Sequence, residues 1–237
     1  MNRIDVEVSK RFEISRAAAG SAILEGRVRI NGLVVSKSSK RVCADDVVEC
    51  ELPRFVGRGG CKLLAAIEAC GIVLEGRVCL DVGASTGGFT DCMLQHGAGL
   101  VHAVDVGSAQ LHERLRTHPS VSFLENTNIL DVPYLSPPPS FFAVDVSFVS
   151  VLKLLPHICG LLDFSEQYGA VSAVLVKPQF ECGRGAVSRR GIVRDEKLCQ
   201  EAARRVAKEL CILIGRPVQY IGKSPVEVGN TEYLIVC

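Results

Sequence analysis

The chain has 237 residues, 48% of them hydrophobic, which supplies ample material for a buried core and excludes global disorder. Formal net charge is only +1, and the absence of tryptophan argues against a stacking-rich carbohydrate binder. The first sixteen residues are charged every few positions without an apolar signal core, and the most apolar long run, residues 141–164, is interrupted by Asp145, Lys153, Pro156 and His157. Neither a secretory leader nor a stable membrane insertion is expected, and the reading is of a cytoplasmic protein.

The charge is uneven. Residues 1–42 carry nine Lys/Arg against four Asp/Glu, residues 184–208 eight against three, and residues 43–183 eight against sixteen. Two basic patches flanking an acidic middle fit a polyanion binder with a separate chemistry domain. Eleven cysteines occur without any C-x-x-C pair, so a zinc ribbon is absent and no metal is expected. They read as scattered, reduced core thiols.

In chain order, residues 1–52 form a small α+β module. IDVEVSKRF and SRAAAGSAILEG are short helix patterns, the second opened by Ser15 and closed by Gly26. RVRING, LVVSKSSKRV and DVVECEL alternate as short strands around the turn signal Asn31-Gly32. Residues 53–60 are punctuated by proline and glycine and read as a linker; CKLLAAIEAC then has helical spacing, stopped at Gly71.

From Val78 to the end, strand and helix patterns alternate: VCLDV, a helix over 89–96, LVHAVDV, a helix near 109–116, VSFLEN, FFAVDVSF, a helix over 149–162, AVSAVLVK, a helix over 195–213, PVQYIG and EYLIVC. Near-continuous apolar strands indicate a sheet covered on both faces. Residues 61–237 are thus expected to be a mostly parallel, doubly wound, Rossmann-like α/β domain.

The first strand of that domain runs through Asp81 into Gly83-Ala84-Ser85-Thr86-Gly87-Gly88-Phe89 and a helix. Phe89 stands where a phosphate-cradling loop needs lysine, and Ser85 where a dinucleotide loop needs its second glycine. A second carboxylate, Asp105, ends the next strand about twenty residues on, where a ribose diol is usually gripped. A nucleoside cofactor lacking phosphate fits best, and S-adenosylmethionine is such a molecule. Asp81 would favour its ammonium, free amides around Gly87 and Gly88 its carboxylate, and Asn126 and Asn128 the adenine edge. A purely structural turn, or NAD bound atypically, stays open on the loop alone. Lys62, Asp145, Lys177 and Glu232 are the other charges that a doubly wound sheet could gather at one edge; singly, each reads as a salt bridge or a solvated side chain.

The runs RGGCKL, LDVGASTGGFTDCML, AVDVG, AVDVSFVS, LVKPQFECGRG, GIVRD and GNTEYL resemble the hemolysin-A-type (TlyA) ribosomal RNA 2′-O-methyltransferases, a branch of the FtsJ-like methyltransferases. Residues 3–50 resemble the S4 RNA-binding module that precedes the catalytic domain there. The resemblance implies a Lys-Asp-Lys-Glu tetrad at Lys62, Asp145, Lys177 and Glu232. It places the S-adenosylmethionine loop at Gly83–Gly88, with Asp105 on the ribose. Cys61, Gly57 and Arg189-Arg190 depart from the family pattern.

The reaction so implied is transfer of a methyl group to a ribose 2′-hydroxyl, of cytidine in ribosomal RNA in this family. Lys177 would serve as base or proton relay, or alternatively as an orienting charge. Arg3, Lys10, Arg11, Arg16, Arg27, Arg29, Arg58, Arg184, Arg189 and Arg190 are candidates for phosphate contacts. The required 2′-hydroxyl makes RNA or ribosomal subunits, not DNA, the partner. Monomer and homodimer are equally compatible with the sequence. Two other readings are a non-catalytic RNA-binding or ribosome-assembly protein and a hemolysin acting directly on membranes. The first requires the tetrad to be incidental; the second lacks a span or pore-forming segment.

Overall fold

The computed structural model describes residues 2–163, 171–225 and 229–237, without the side chain of Arg184. The chain divides into two units, Met1–Arg54 and Phe55–Cys237.

In the smaller unit, strand β1 (Asn2–Arg3) leads into helices α1 (Ile4–Arg11) and α2 (Arg16–Leu24). Ser15 caps α2 by accepting from the Ala18 amide, which satisfies one of the amides a helix start leaves unpaired. Strands β2 (Val28–Ile30) and β3 (Leu33–Val34) form a hairpin across Asn31 and Gly32, both at positive φ, as a two-residue turn of this hand requires. Strand β4 (Arg41–Val42) pairs with β1, and β5 (Val48–Cys50) completes a three-stranded sheet with β2 and β3. The β1–β4 pairing was not expected, because two residues carry no periodicity. Ile4, Val8, Ala19, Ile23, Val28 and Val42 make the core of this unit.

The larger unit begins at Phe55, inside the stretch 53–60 expected to be a linker. Phe55 is buried against Gly60, and the Val56 amide donates to Asp91. Helix α3 (Gly59–Cys70) ends at Gly71 in the left-handed region. Then follow β6 (Val78–Val82), α4 (Gly88–Gln95), β7 (Leu100–Val104), α5 (Glu113–Arg116), β8 (Val121–Leu124), β9 (Phe141–Val144), α6 (Leu155–Gly160), β10 (Ser172–Val176), α7 (Pro178–Glu181), α8 (Glu196–Ile214), β11 (Tyr220–Lys223) and β12 (Tyr233–Val236).

These strands form one seven-stranded sheet in the order β11-β12-β10-β9-β6-β7-β8. β8, β7, β6, β9 and β10 are parallel, and β12 and β11 add antiparallel. Side chains alternate between two cores. Leu80, Val82, Phe142, Val144, Val174 and Ile235 meet α6 and α8 on one face, while Cys79, Phe141, Ala143, Leu175 and Leu234 meet α3 and α4 on the other. Helix α8 buries Cys199, Ala202, Ala203, Val206, Ala207 and Leu210, the stripe expected at helical spacing. Each large apolar side chain so buried contributes about 1.5–3 kcal/mol.

Three helix and strand expectations change. The strand read as FFAVDVSF stops at Val144, leaving 145–148 as a loop in which Phe148 takes φ +68°. The helix expected over 149–162 splits into a 3-10 turn at Val151–Lys153 and α6, where Pro156 falls in the first turn and cannot donate. The helix near 109–116 shortens to Glu113–Arg116, because Ala109 takes positive φ. No helix among the described residues is long and apolar enough to cross a membrane.

Candidate active site

The sheet reverses direction of growth at β6, which has β7 on one side and β9 on the other; the crevice past the carboxyl ends of such strands is where ligands bind. Register sets what meets there. Val82 lies level with both Val104 and Val144, so Gly83, Asp105 and Asp145 each stand one residue beyond a strand end. A cavity of about 540 Å³ opens at this edge, of a size for a small-molecule ligand. Gly83, Ser85, Asp105, Gln110, Asn128 and Asp145 line it, together with the apolar Val106, Ile129, Leu130 and Phe148.

The glycine loop is held by backbone. Gly83 and Ala84 donate to Val104 O, and Asp105 accepts from the Ser85 amide (2.7 Å) and from the Gly107 amide (2.7 Å). Each Asp105 oxygen therefore keeps lone-pair capacity for a diol while its position is fixed. Gly83 sits at φ +86°, and a Cβ there would lie 2.5 Å from the Asp145 carbonyl oxygen. Asn128 caps the short turn Ile129–Asp131 through the Leu130 amide. Carboxylate, amide and apolar walls in one cavity fit the ribose and adenine of S-adenosylmethionine.

Asp81, Ala84, Gly87, Gly88 and Phe89 are not in the cavity wall. The Gly87 amide, expected free, donates to Ala84 O at 2.7 Å, so it closes the loop rather than facing a carboxylate. Gly88 allows the α4 terminus to approach the backbone of Gly57–Gly60. Ala84 packs with Ala103, Leu111 and Leu115, and the Phe89 ring joins the core beside Met93. Among the thiols, Cys61 is exposed rather than in the core.

Asp81 is fully buried; one oxygen accepts from the Thr90 amide (2.9 Å) and hydroxyl (2.6 Å), and Oδ1 has no hydrogen-bond partner among the described residues. Burial drives its carboxyl up to about 7, the Asp145 and Asp105 charges add to the rise, and the Thr90 hydrogen bonds oppose it. Folding thus favours the protonated acid. The contribution is full below the ordinary value of 3.8 and is lost as pH rises through about 7. Asp81→Asn keeps an oxygen for Thr90 and removes the titration. Thermal unfolding from about pH 4 to about pH 8 should show a stability decline in the wild type that is absent from the variant. The same decline in both would clear Asp81 as its source.

At the other side of the crevice, four charged side chains form a chain of contacts. Lys62 Nζ donates to Glu232 at 2.6 Å and lies 3.6 Å from Asp145 Oδ2. Lys177 Nζ pairs with Asp145 Oδ1 at 2.6 Å and donates to Ser147 Oγ at 2.9 Å. Topology explains the convergence. Lys177 follows the parallel strand β10, and because β12 runs antiparallel, Glu232 precedes that strand at the same edge. Lys62 reaches in from the first turn of α3. All four side chains are between 11% and 19% exposed, so they are largely desolvated yet reachable from the crevice.

Ser147, Phe148 and Gln110 were not anticipated. Ser147 steadies Lys177, and Phe148, 92% exposed, stands at the cavity with its ring 5.4 Å from that of Phe180. Its sequence signal, an aromatic in an apolar run, reads as strand; only the positive φ turns it outward.

The basic candidates fall in different surroundings. Arg3 and Arg16 both pair with Asp5, holding its carboxyl down at about 2, while their own side chains remain at least half exposed. Arg11 pairs with Glu7, Arg27 with Glu25 and the Glu51 carbonyl, and Arg29 donates to Gly32 O. Lys10 is exposed. Arg58, also exposed, stands at the N-cap position of α3, one turn before Lys62, without a side-chain capping bond. Arg189 and Arg190 are exposed at a turn closed by Ser188 and Gly191, and Asn230 ties that segment through Gly191 O and the Val193 amide. The Arg184 side chain lies outside the described residues.

A doubly wound sheet with a carboxylate just past its second strand, a glycine loop and a desolvated lysine–carboxylate chain fits a methyltransferase of S-adenosylmethionine. Residues 55–236 match the FtsJ-like methyltransferase family and residues 3–48 the S4 domain. Over 98% of its length the chain is 39% identical to hemolysin A of Brachyspira hyodysenteriae, covering 98% of that protein. It is 38% identical to the 16S/23S rRNA (cytidine-2′-O)-methyltransferase TlyA of Mycobacterium tuberculosis, again over 98% of this chain and 88% of the relative. A solved structure from Streptococcus thermophilus that carries a hemolysin name superposes with a TM-score of 0.73 at 34% identity, over 99% of this chain and 87% of that one. The chain belongs to the FtsJ-like methyltransferases, in the branch that holds hemolysin A and TlyA.

Proposed function

We propose that this chain methylates the ribose 2′-hydroxyl of cytidine in ribosomal RNA, acting in the cytoplasm on RNA or assembling subunits. The observation that carries the reading is the continuous Glu232–Lys62–Asp145–Lys177 chain of contacts, with Asp145 lining the cofactor cavity.

S-adenosylmethionine supplies an activated methyl group on sulfur. Asp105, with Ser85 and Asn128, would hold the nucleoside end, and Asp145 and Ser147 line the same cavity toward Lys177. The incoming hydroxyl loses one proton as its oxygen gains carbon. Lys177 Nζ accepts that proton, and Asp145 stabilises the ammonium that results. Lys62 and Glu232 fix Asp145 from its other oxygen and leave no carboxylate of the tetrad unpaired. Positioning of hydroxyl against methyl supplies the remainder of the rate.

Phe148 presents a ring face beside the reacting groups, which suits stacking on the target base. Base–aromatic stacking is worth about 1–3 kcal/mol, so Phe148→Ala should lower kcat/KM for RNA by roughly 5- to 150-fold, more than it raises the cofactor Kd. An unaltered kcat/KM would remove Phe148 from base recognition. The arginines of the S4 domain, with Arg58, Arg189 and Arg190, serve the phosphate backbone.

The test is transfer of labelled methyl to purified small and large ribosomal subunits, and to RNA stripped from them, prepared from a strain lacking the gene. Transfer should occur and fall steeply with salt, as phosphate contacts require. Cofactor binding without transfer to any of these acceptors would sink the ribosomal assignment.

A further inference from the structure

The glutamate that ends the motif LVKPQFE lies outside the tetrad, yet it is engaged more fully than any exposed acid would be. Glu181 Oε2 accepts from Ser150 Oγ at 2.6 Å, and Oε1 accepts from the Val151 amide at 2.7 Å. Its own carbonyl is gripped from α8 by Arg205 at 2.6 Å. Helix α7 thus touches the loop 145–151 at two points. Lys177, at its start, binds Asp145 and Ser147; Glu181, at its end, binds Ser150 and Val151. Between them Phe180 packs on Phe148. The loop spanned by these contacts holds five residues of the cavity wall, Asp145, Val146, Ser147, Phe148 and Val149; Asp145 belongs to the tetrad and Ser147 accepts from Lys177.

We propose that Glu181 is a positioning residue, a latch that fixes the 145–151 loop so that Asp145, Ser147 and Phe148 stand in register with Lys177. The inference rests on the methyl-transfer reading of the tetrad. A loop carrying a non-glycine residue at φ +68° does not hold that conformation by local preference, so something outside it must. The two hydrogen bonds from one carboxylate, to a side chain and to a backbone amide of the loop, do this without touching substrate. The Ser150 hydroxyl and the Val151 amide, at the start of the 3-10 turn Val151–Lys153, are the groups a capping carboxylate satisfies.

The experiment compares Glu181→Ala, Glu181→Gln and Ser150→Ala with wild type in methyl transfer, cofactor calorimetry and amide hydrogen exchange. Glu181→Ala should lower kcat by roughly 10- to 100-fold, the range that small misplacements of reacting groups produce. Cofactor Kd should change less than kcat, because Asp105, Ser85 and Asn128 are untouched. Glu181→Gln keeps an oxygen for Val151 and offers its amide to the Ser150 oxygen, so it should recover most of kcat. Combined with Phe148→Ala, the alanine variant should cost less than the two single losses multiplied, since both act through one loop.

A Glu181→Ala enzyme as fast as wild type, or losses that multiply fully with no rescue by glutamine, would overturn the proposal. If the alanine variant does not fold, Ser150→Ala decides: a several-fold fall in kcat supports the latch and no fall overturns it. Hydrogen exchange separates this inference from the reading beneath it. Loss of protection at the Val151 amide in Glu181→Ala, relative to wild type, supports the latch even if no acceptor RNA is found; unchanged protection there overturns it even in an active enzyme.

Discussion

Replacing Lys177 by alanine is expected to slow methyl transfer by about 10²- to 10⁴-fold, the range a positioned proton acceptor contributes. The reason is local. Lys177 Nζ lies 2.6 Å from Asp145 Oδ1 and 2.9 Å from Ser147 Oγ, beside the cofactor cavity, and no other lysine takes that place. Its removal leaves Asp145 paired with Lys62, so the fold retains a partner for the buried carboxylate. Cofactor affinity and the melting temperature should therefore change little, and single-turnover rates should carry the loss. Lys177→Arg sharpens the result. Arginine keeps the charge but cannot take up a proton, so an orienting charge would survive the exchange in part and a base would not. The arginine enzyme should be nearly as slow as the alanine one; an arginine enzyme close to wild type would reassign Lys177 to orientation.

Gly83→Ala should strike both halves of the site at once. At φ +86° an alanine costs about 1–2 kcal/mol in backbone conformation alone. Its Cβ would also lie 2.5 Å from the Asp145 carbonyl oxygen, which is backbone and cannot swing aside. The loop after β6 and the loop after β9 must then separate. The first carries Ser85 and the second Asp145, so cofactor binding and transfer should fall together, unlike the Lys177 result. Calorimetry with S-adenosylmethionine and thermal unfolding check this: binding weakened beyond detection alongside a lower melting temperature is expected. Wild-type affinity in a stable Gly83→Ala protein would show that the two loops are not held in contact as described.

The two effects mark what the sequence made legible. Charges placed just past apolar strands were visible as such, and parallel topology alone requires that Asp105, Asp145 and Lys177 end at one edge of the sheet. The antiparallel return of β12, which brings Glu232 there, was not legible in the pattern; the family resemblance implied Glu232's place in the tetrad but not the direction of its strand. The glycine loop was legible as a loop, but not the use of its amides. Whether Gly87 donates outward or to Ala84 O depends on a turn geometry that Leu111 and Leu115 help to set by packing against it. Phe89 and Phe148 show the same limit from opposite sides. Both are aromatics near functional glycines or carboxylates; helix α4 turns the first into the core, and a positive φ turns the second into solvent. Arginine content announced a polyanion surface, but the pairing of Arg3 and Arg16 on Asp5 requires α1 and α2 to be folded together.

The most direct measurement is the identity of the methylated product. Ribosomal RNA methylated by the wild-type chain, digested to nucleosides and resolved by mass spectrometry, should yield 2′-O-methylcytidine, with the adjoining linkage resistant to alkali before digestion. The Lys177→Ala protein, loaded with the same cofactor, should leave that product at background. A methyl group on the base, or 2′-O-methylation undiminished in the Lys177 variant, would contradict the assignment of the tetrad to ribose chemistry.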